Sequence, residues 1–186
     1  MRRIVMIFFN SKLLYTPALE LFEFNQHALV IDFETVGAAE FTEPIEVAVG
    51  NHVGEIVFES LVQPVFNPIP PLSKLKRFDR NELKQAPTWM DLWPEFSRII
   101  ENSLLIAFNA PFDRRALAAT CSRHHMTSNE RGWRCAMRLI TQKVGLKRSI
   151  TLTEACALFG LEGGNHRAAR DVTATIQLLN AVAHSQ

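Results

Sequence analysis

Ala28-Leu29-Val30-Ile31-Asp32-Phe33-Glu34-Thr35 is an apolar run that ends in two acids one residue apart. Leu29, Val30 and Ile31 favour extended backbone, and a continuous apolar stretch bounded by turn residues reads as a strand covered on both faces. Successive strand side chains point to opposite faces, so Asp32 and Glu34 share one. Two carboxylates at the end of a core strand repel, and burying them costs several kcal/mol each without a compensating cation. The stretch alone leaves two readings open: solvated acids where a strand has ended, or a divalent-cation site.

Downstream, Pro44 to Val49 and Glu55 to Val62 read as two more strands joined by the glycine-bounded loop 50–54, which predicts an antiparallel meander. Glu46 lies inside the second of these strands and reads as an exposed strand acid. Residues 64–71 carry four prolines and form a loop, followed by the basic cluster Lys74, Lys76, Arg77 and Arg80, read as a solvated connection. Thr88 and Asp91 have capping-box spacing, and Trp89, Leu92, Trp93, Phe96, Ile99 and Ile100 recur at helical intervals as a core-facing stripe. Leu104 to Ala107 is a short buried strand. It leads into Asn109-Ala110-Pro111-Phe112-Asp113, where Pro111 suits the first turn of a helix running to about Arg123 and Asp113 complements its dipole. Residues 133–143 read as one helix. Thr151 and Glu154 cap a short helix ending at Gly160, and a last helix starts near His166 with Ala168, Ala169, Val172, Ile176 and Leu179 on its inner side. The order predicts an α/β or α+β domain on a mixed sheet, with three antiparallel strands plus parallel ones, flanked by helices.

Composition is ordinary for a globular chain of 186 residues, with 47% apolar and 21% charged residues. The net charge of +1 hides an asymmetry: 9 Lys/Arg against 14 Asp/Glu up to Asn109, and 11 against 5 from Ala110 onward. That distribution suits an acidic metal cluster facing a polyanion. Three cysteines without a CxxC pair argue against a disulfide scaffold and fit a reducing, cytoplasmic setting. No apolar run is long enough to cross a bilayer. Residues 1–26 read as an N-terminal extension packing on the domain rather than as a signal peptide, since the apolar run after Met1-Arg2-Arg3 is short and interrupted.

Acids therefore stand at three special places: Asp32 and Glu34 at a strand end, Asp113 at a helix start after a strand, and Asp171 in the first turns of the last helix, with His166 at its entrance. Strand ends and helix starts converge on one edge of a sheet in α/β folds. Four carboxylates gathered there cannot all ionise at neutral pH without cations, and hard oxygen ligands suit Mg²⁺ or Mn²⁺. Two such ions about 3.5–4 Å apart clamp an in-line displacement at phosphorus, and a neutral histidine beside them can take a proton from water.

The segments Asp32-Phe33-Glu34-Thr35, Asn109-Ala110-Pro111-Phe112-Asp113 and His166-Arg167-Ala168-Ala169-Arg170-Asp171 together resemble the DEDDh, or DnaQ-like, family of 3′→5′ exonucleases, which includes the proofreading subunit of bacterial DNA polymerase III. Weaker echoes are Ile45-Glu46-Val47, Ala86-Pro87-Thr88 and residues 133–139. The resemblance runs over residues 27–184 and marks 27–186 as an exonuclease domain. It implies a ribonuclease H-like fold and hydrolysis of phosphodiester bonds from the 3′ end of single-stranded nucleic acid, DNA being expected although no motif separates it from RNA. It implies two Mg²⁺ or Mn²⁺ ions held by Asp32, Glu34, Asp113 and Asp171, with His166 as general base. In the sister branch a tyrosine lies four residues before the last acid, but Arg167 stands there and the single tyrosine is Tyr15. Phe33, Thr35, Asn109, Phe112 and His166 are implied to shape the pocket for the 3′-terminal nucleotide. A polymerase partner is a further, looser implication. Phe108 and Val36 depart from the family pattern where histidine and a second threonine are common.

Two alternatives stand beside this reading. One is a nuclease-like module that binds nucleic acid without cutting it. The other is a zinc site from Cys121, His124, His125 and Cys135, whose spacing is unlike a zinc finger, so that buried thiols and helix-end histidines are the simpler account.

Overall fold

The apolar stretch ending in Asp32 and Glu34 is β1 (Ala28–Val36), the middle strand of a five-stranded sheet ordered β3-β2-β1-β4-β5. The computed structural model describes residues 27–38, 41–68 and 77–184; the N-terminal extension and Lys74 and Lys76 of the basic cluster lie outside them. β1 pairs antiparallel with β2 (Glu43–Asn51), which pairs antiparallel with β3 (Ile56–Leu61) across the glycine-bounded hairpin. On its other side β1 runs parallel to β4 (Leu104–Ala107), and β4 parallel to β5 (Gly132–Cys135). The predicted mixed sheet is present, meander and parallel strands alike.

Six described helices flank it: α1 (Arg80–Gln85), α2 (Trp89–Ile100), α3 (Ala110–Arg123), α4 (Ala136–Lys143), α5 (Leu152–Leu158) and α6 (Ala168–His184). Both predicted capping boxes form, with Thr88 Oγ1 and Thr151 Oγ1 accepting the backbone N–H of Asp91 and Glu154. One expectation needs correcting. Residues 133–143 do not form a single helix, because Gly132–Cys135 pair with β4 as β5 before α4 begins. A four-residue strand shows no period of its own, so its identity comes from the partner and not from its residues. α1 was also unexpected in a stretch read as connection; Asp79 caps it through the N–H groups of Asn81 and Glu82.

The alternation of β1 divides the core. Ala28 and Val30 face α4, α5 and α6, in a cluster with Val172, Ile176 and Leu179. Leu29, Ile31 and Phe33 face α2 and α3, where Phe96 meets Trp89 at 4.9 Å and Phe58 at 5.6 Å between ring centroids. α6 packs tightly on β2 at Gly50, where a Cβ would come within 2.7 Å of Val172 and 2.8 Å of Ile176. No described helix is long and apolar enough to cross a membrane.

Candidate active site

Asp32 and Glu34 continue the even-numbered face of β1, so they leave the sheet on the side that α6 covers. α6 answers with Asp171 in its first turn. Oxygen or nitrogen atoms of Glu34, His166 and Asp171 lie within 4.8 Å of one another, close enough to share one ion. Asp113 arrives from the opposite layer, in the first turn of α3. Its Oδ1 accepts the Phe33 N–H at 3.1 Å, which locks the start of α3 to the end of β1. Asp32 feels the charges of Asp113, Asp171 and Glu34, so the acids of the two layers lie within electrostatic reach of one another, while the group close enough to share one ion is Glu34, His166 and Asp171. A bulge sits at the same point: Glu34 pairs with Glu46 and Thr35 with Pro44, leaving Ile45 without a partner in β1. Such a bulge bends the strand and re-aims its side chains beside a site.

The electrostatics are those of a concentrated, half-dry anion cluster. Burial, and then the charges of Asp113, Asp171 and Glu34, hold the Asp32 carboxyl well above its usual range. Burial pushes Glu34 up to about 7, helped by Asp171 and Glu46 and opposed by Arg77 and Arg167. Asp113 is also raised to about 7 by burial, against the pull of the Phe33 N–H. Burial raises Asp171 too, partly offset by the N–H groups of Asn165 and His166, which donate to its Oδ1 at 2.9 and 3.2 Å. A divalent cation relieves this repulsion, and carboxylate oxygens with one imidazole are the donor set of a hard ion. The residues present fit Mg²⁺ or Mn²⁺.

The loop before α6 holds its own geometry. His166 adopts a left-handed backbone, φ 57°, which a histidine tolerates better than most side chains. Gly164 lies so close to Asp171 that a Cβ there would collide with its carboxylate. His166 itself is exposed at the rim.

Three features were not legible beforehand. Glu46 is 1% exposed and not a surface acid. Its Oε1 accepts from Arg167 Nε at 2.8 Å and its Oε2 from the Ala168 N–H at 2.8 Å, so it caps α6 and pairs with Arg167 at once. The Arg167 guanidinium also lies over Phe78, 5.1 Å from the ring centre. The cross-strand match of Glu46 with Glu34 was implicit in the meander, but its register was not. Phe33, expected to touch substrate, is 3% exposed and belongs to the aromatic core, because alternation turns it away from Asp32 and Glu34; only its backbone faces the site. Thr35 is half-buried beside the bulge, Phe112 is 38% exposed, and Asn109 is the exposed N-cap of α3 with a side chain that caps nothing. Of the residues weighed for zinc, Cys121 is buried with its thiol pushed up to about 11 by that burial, and His124 packs on Phe66 at 5.3 Å.

Comparison with known proteins bears on this arrangement. Residues 29–179 match the RNase_T family model, described as exonuclease. A Mycobacterium tuberculosis protein described as a bifunctional exonuclease/endonuclease is 29% identical over 183 residues, which span 90% of this chain but 28% of the relative. An uncharacterized exonuclease of Escherichia phage 186 is 28% identical over 171 residues, 83% of this chain and 87% of the phage protein. Among solved structures, the nuclease domain of 3′hExo, a DEDDh family member bound to rAMP, superposes with a TM-score of 0.66 at 16% identity, covering 86% of this chain and 91% of that one. At that identity the likeness shows the fold, a ribonuclease H-like one.

Proposed function

The chain belongs to the RNase_T exonuclease family, and on that premise we propose that it removes nucleotides from the 3′ end of single-stranded nucleic acid, DNA first among substrates. The observation that carries this is the gathering of Asp32, Glu34, Asp113 and Asp171, whose carboxyls are all raised by burial, with repulsion between the acids adding at Asp32, Glu34 and Asp113 and with His166 at the rim. A pair of divalent cations held by these four carboxylates would neutralise the cluster, polarise the scissile phosphate and stabilise the departing oxygen.

The chain's own groups supply the rest. The His166 imidazole accepts a proton from the attacking water; the water oxygen bonds to phosphorus as the bond to the 3′-oxygen of the preceding nucleotide breaks, releasing a nucleoside 5′-monophosphate. His166 holds a left-handed backbone, and a ring nitrogen lies within 4.8 Å of the Glu34 and Asp171 carboxylates. The Phe33 N–H fixes Asp113, and the N–H groups of Asn165 and His166 fix Asp171, so that neither carboxylate must reorganise during the reaction. Thr35, Asn109 and Phe112 are assigned to the terminal nucleotide.

The test is the shortening of a 5′-labelled single strand in the presence of Mg²⁺, with Asp32→Ala and Asp171→Ala as companions. The expected result is a ladder losing one nucleotide at a time from the 3′ end with the wild type, none with either variant, and unchanged circular dichroism. Wild-type rates in a variant would refute the assigned cluster, and loss from the 5′ end would refute the polarity. Tight binding without cleavage by the wild type would favour the silent binding module.

A further inference from the structure

Two cavities adjoin on the far flank of α3's first turn, away from the carboxylates. One, of about 360 Å³, is lined by Pro111, Arg114, Trp133, Arg134 and Arg138 among others. The second, of about 420 Å³, is lined by Asn109, Pro111, Arg138, Lys147 and Arg148 among others. They share Pro111 and Arg138 in their walls, so they adjoin, and the pair is called the groove. Five cations line it and no acid does. Among the described residues no carboxylate lies within ion-pair distance of Arg114, Arg138 or Lys147, whereas Arg148 meets Glu154 at 3.3 Å. The five cations are exposed, and charges of one sign lining a cleft raise the local concentration of a polyanion there.

Its position relative to the cluster gives that polyanion a direction. Pro111 lies two residues before Asp113, so the two point to nearly opposite sides of α3, with the helix's width of ~10 Å between groove and carboxylates. β4 and β5 end together at Ala107 and Cys135, while β1 runs on past them and carries Asp32 and Glu34 beyond that edge. Asn109, the exposed cap of α3 whose side chain makes no cap hydrogen bond, itself lines the second cavity and marks where the groove meets the site. At ~3.4 Å per stacked nucleotide, a strand crosses that distance in about three nucleotides. Trp133 lines the groove with its indole anchored, Nε1–H donating to Glu130 Oε1 at 2.9 Å, and it offers a fixed aromatic surface to a base.

We propose that this groove holds the phosphate backbone of the substrate strand on the 5′ side of the bond that is cut, about three nucleotides from it, with Arg138 at its centre. The assignment rests on the exonuclease reading for its direction but not for its ligand, a single-stranded nucleic acid. It gives the basic half of the chain a task that the acidic cluster cannot perform, since that cluster alone repels phosphate.

The test is binding of the full chain, in EDTA, to a fluorescent single-stranded 12-mer and to a dinucleotide, over a range of salt. The variant is Arg138→Gln/Lys147→Gln, and Lys84→Gln/Arg98→Gln removes the same charge elsewhere. The proposal expects the groove variant to lose roughly tenfold in affinity for the 12-mer, to narrow the gap between 12-mer and dinucleotide, and to flatten the salt dependence by about 0.7 per cation removed. The control pair keeps the wild-type affinity, and thermal unfolding shows all three proteins folded. Equal losses in both variants, or a wild type that binds the 12-mer no better than the dinucleotide, would overturn it. A wild type that grips the 12-mer yet releases no nucleotide with Mg²⁺ would sink the exonuclease reading and leave the groove standing.

Discussion

At the scale of single residues, the loop before α6 carries the most constraint per atom. His166 holds a left-handed backbone whose N–H, with that of Asn165, donates to Asp171, and Gly164 leaves the room that Asp171 occupies. A methyl group at Gly164 must displace the carboxylate or the loop. Gly164→Ala is therefore expected to cut hydrolysis by at least ~10-fold, since small misplacements of reacting groups are costly. Steady-state rates at saturating Mg²⁺ check this, and a rate within twofold of wild type would show that the loop yields freely. His166→Ala removes the proposed proton acceptor and is expected to slow hydrolysis by roughly 10²–10⁴-fold, the usual worth of a general base. An unchanged rate would assign the proton to another group.

At the scale of elements, the junction of β2 with α6 is where the two halves of the cluster are held in register. Glu46 reaches from the sheet to the first N–H of α6 and to Arg167, placing Asp171 opposite Glu34. Removing one member of a buried pair leaves the other's bonds unmet. Glu46→Ala is expected to cost ~2–3 kcal/mol in urea unfolding, below the ~3–5 kcal/mol usual for breaking a buried pair, because the Arg167 side chain is 39% exposed and water can solvate it. Activity should fall alongside, because α6 loses its seat. A variant as stable as the wild type would mean that Arg167 and Ala168 are satisfied by other means. The other layer is legible from its own pattern: Trp89, Phe96 and Ile100 of α2 are buried, as their spacing requires. β5 is the opposite case, four residues that become a strand only because β4 offers an open edge.

At the scale of the whole molecule, gathering acids in a folded chain links stability to pH and metal. In the unfolded chain Glu34 and Asp113 lose their protons at ordinary carboxyl values, near 4.5 and 3.8, whereas the folded protein holds both up to about 7. Between those values the folded state binds more protons, so its stability falls as pH rises through the window. Asp91 and Glu154 act in the opposite sense, since hydrogen bonds from Thr88 and Thr151 hold them below their usual values, but their contribution is lost only at more acidic pH. In EDTA the protein is thus expected to melt higher at about pH 5.5 than at about pH 8, with Mg²⁺ restoring more of the melting temperature at the higher pH. Scanning fluorimetry in both buffers, with and without Mg²⁺, decides it. A metal-free protein that is more stable at the higher pH would contradict the clustered acids.

The local pattern of the chain was enough for the central strand, the meander and both capping boxes, because each depends on neighbours within a few residues; it placed Asp32, Asp113 and Asp171 at a strand end and at two helix starts, and their role as ligands rests on the proposed function. Ala28 to Thr35 could be read as a core strand ending in two co-facial carboxylates, and so it is. Folding decided what depends on distant partners: that Glu46 is buried under Arg167, that Phe33 belongs to the core and turns only its backbone to the site, and that Gly132–Cys135 is a strand. It also decided that basic residues of α3, β5, α4 and the loop after α4 line two adjoining cavities. The physical reason is common to all four. A residue's type and period state its preference between water and core, but register and long-range pairing determine which partner satisfies it.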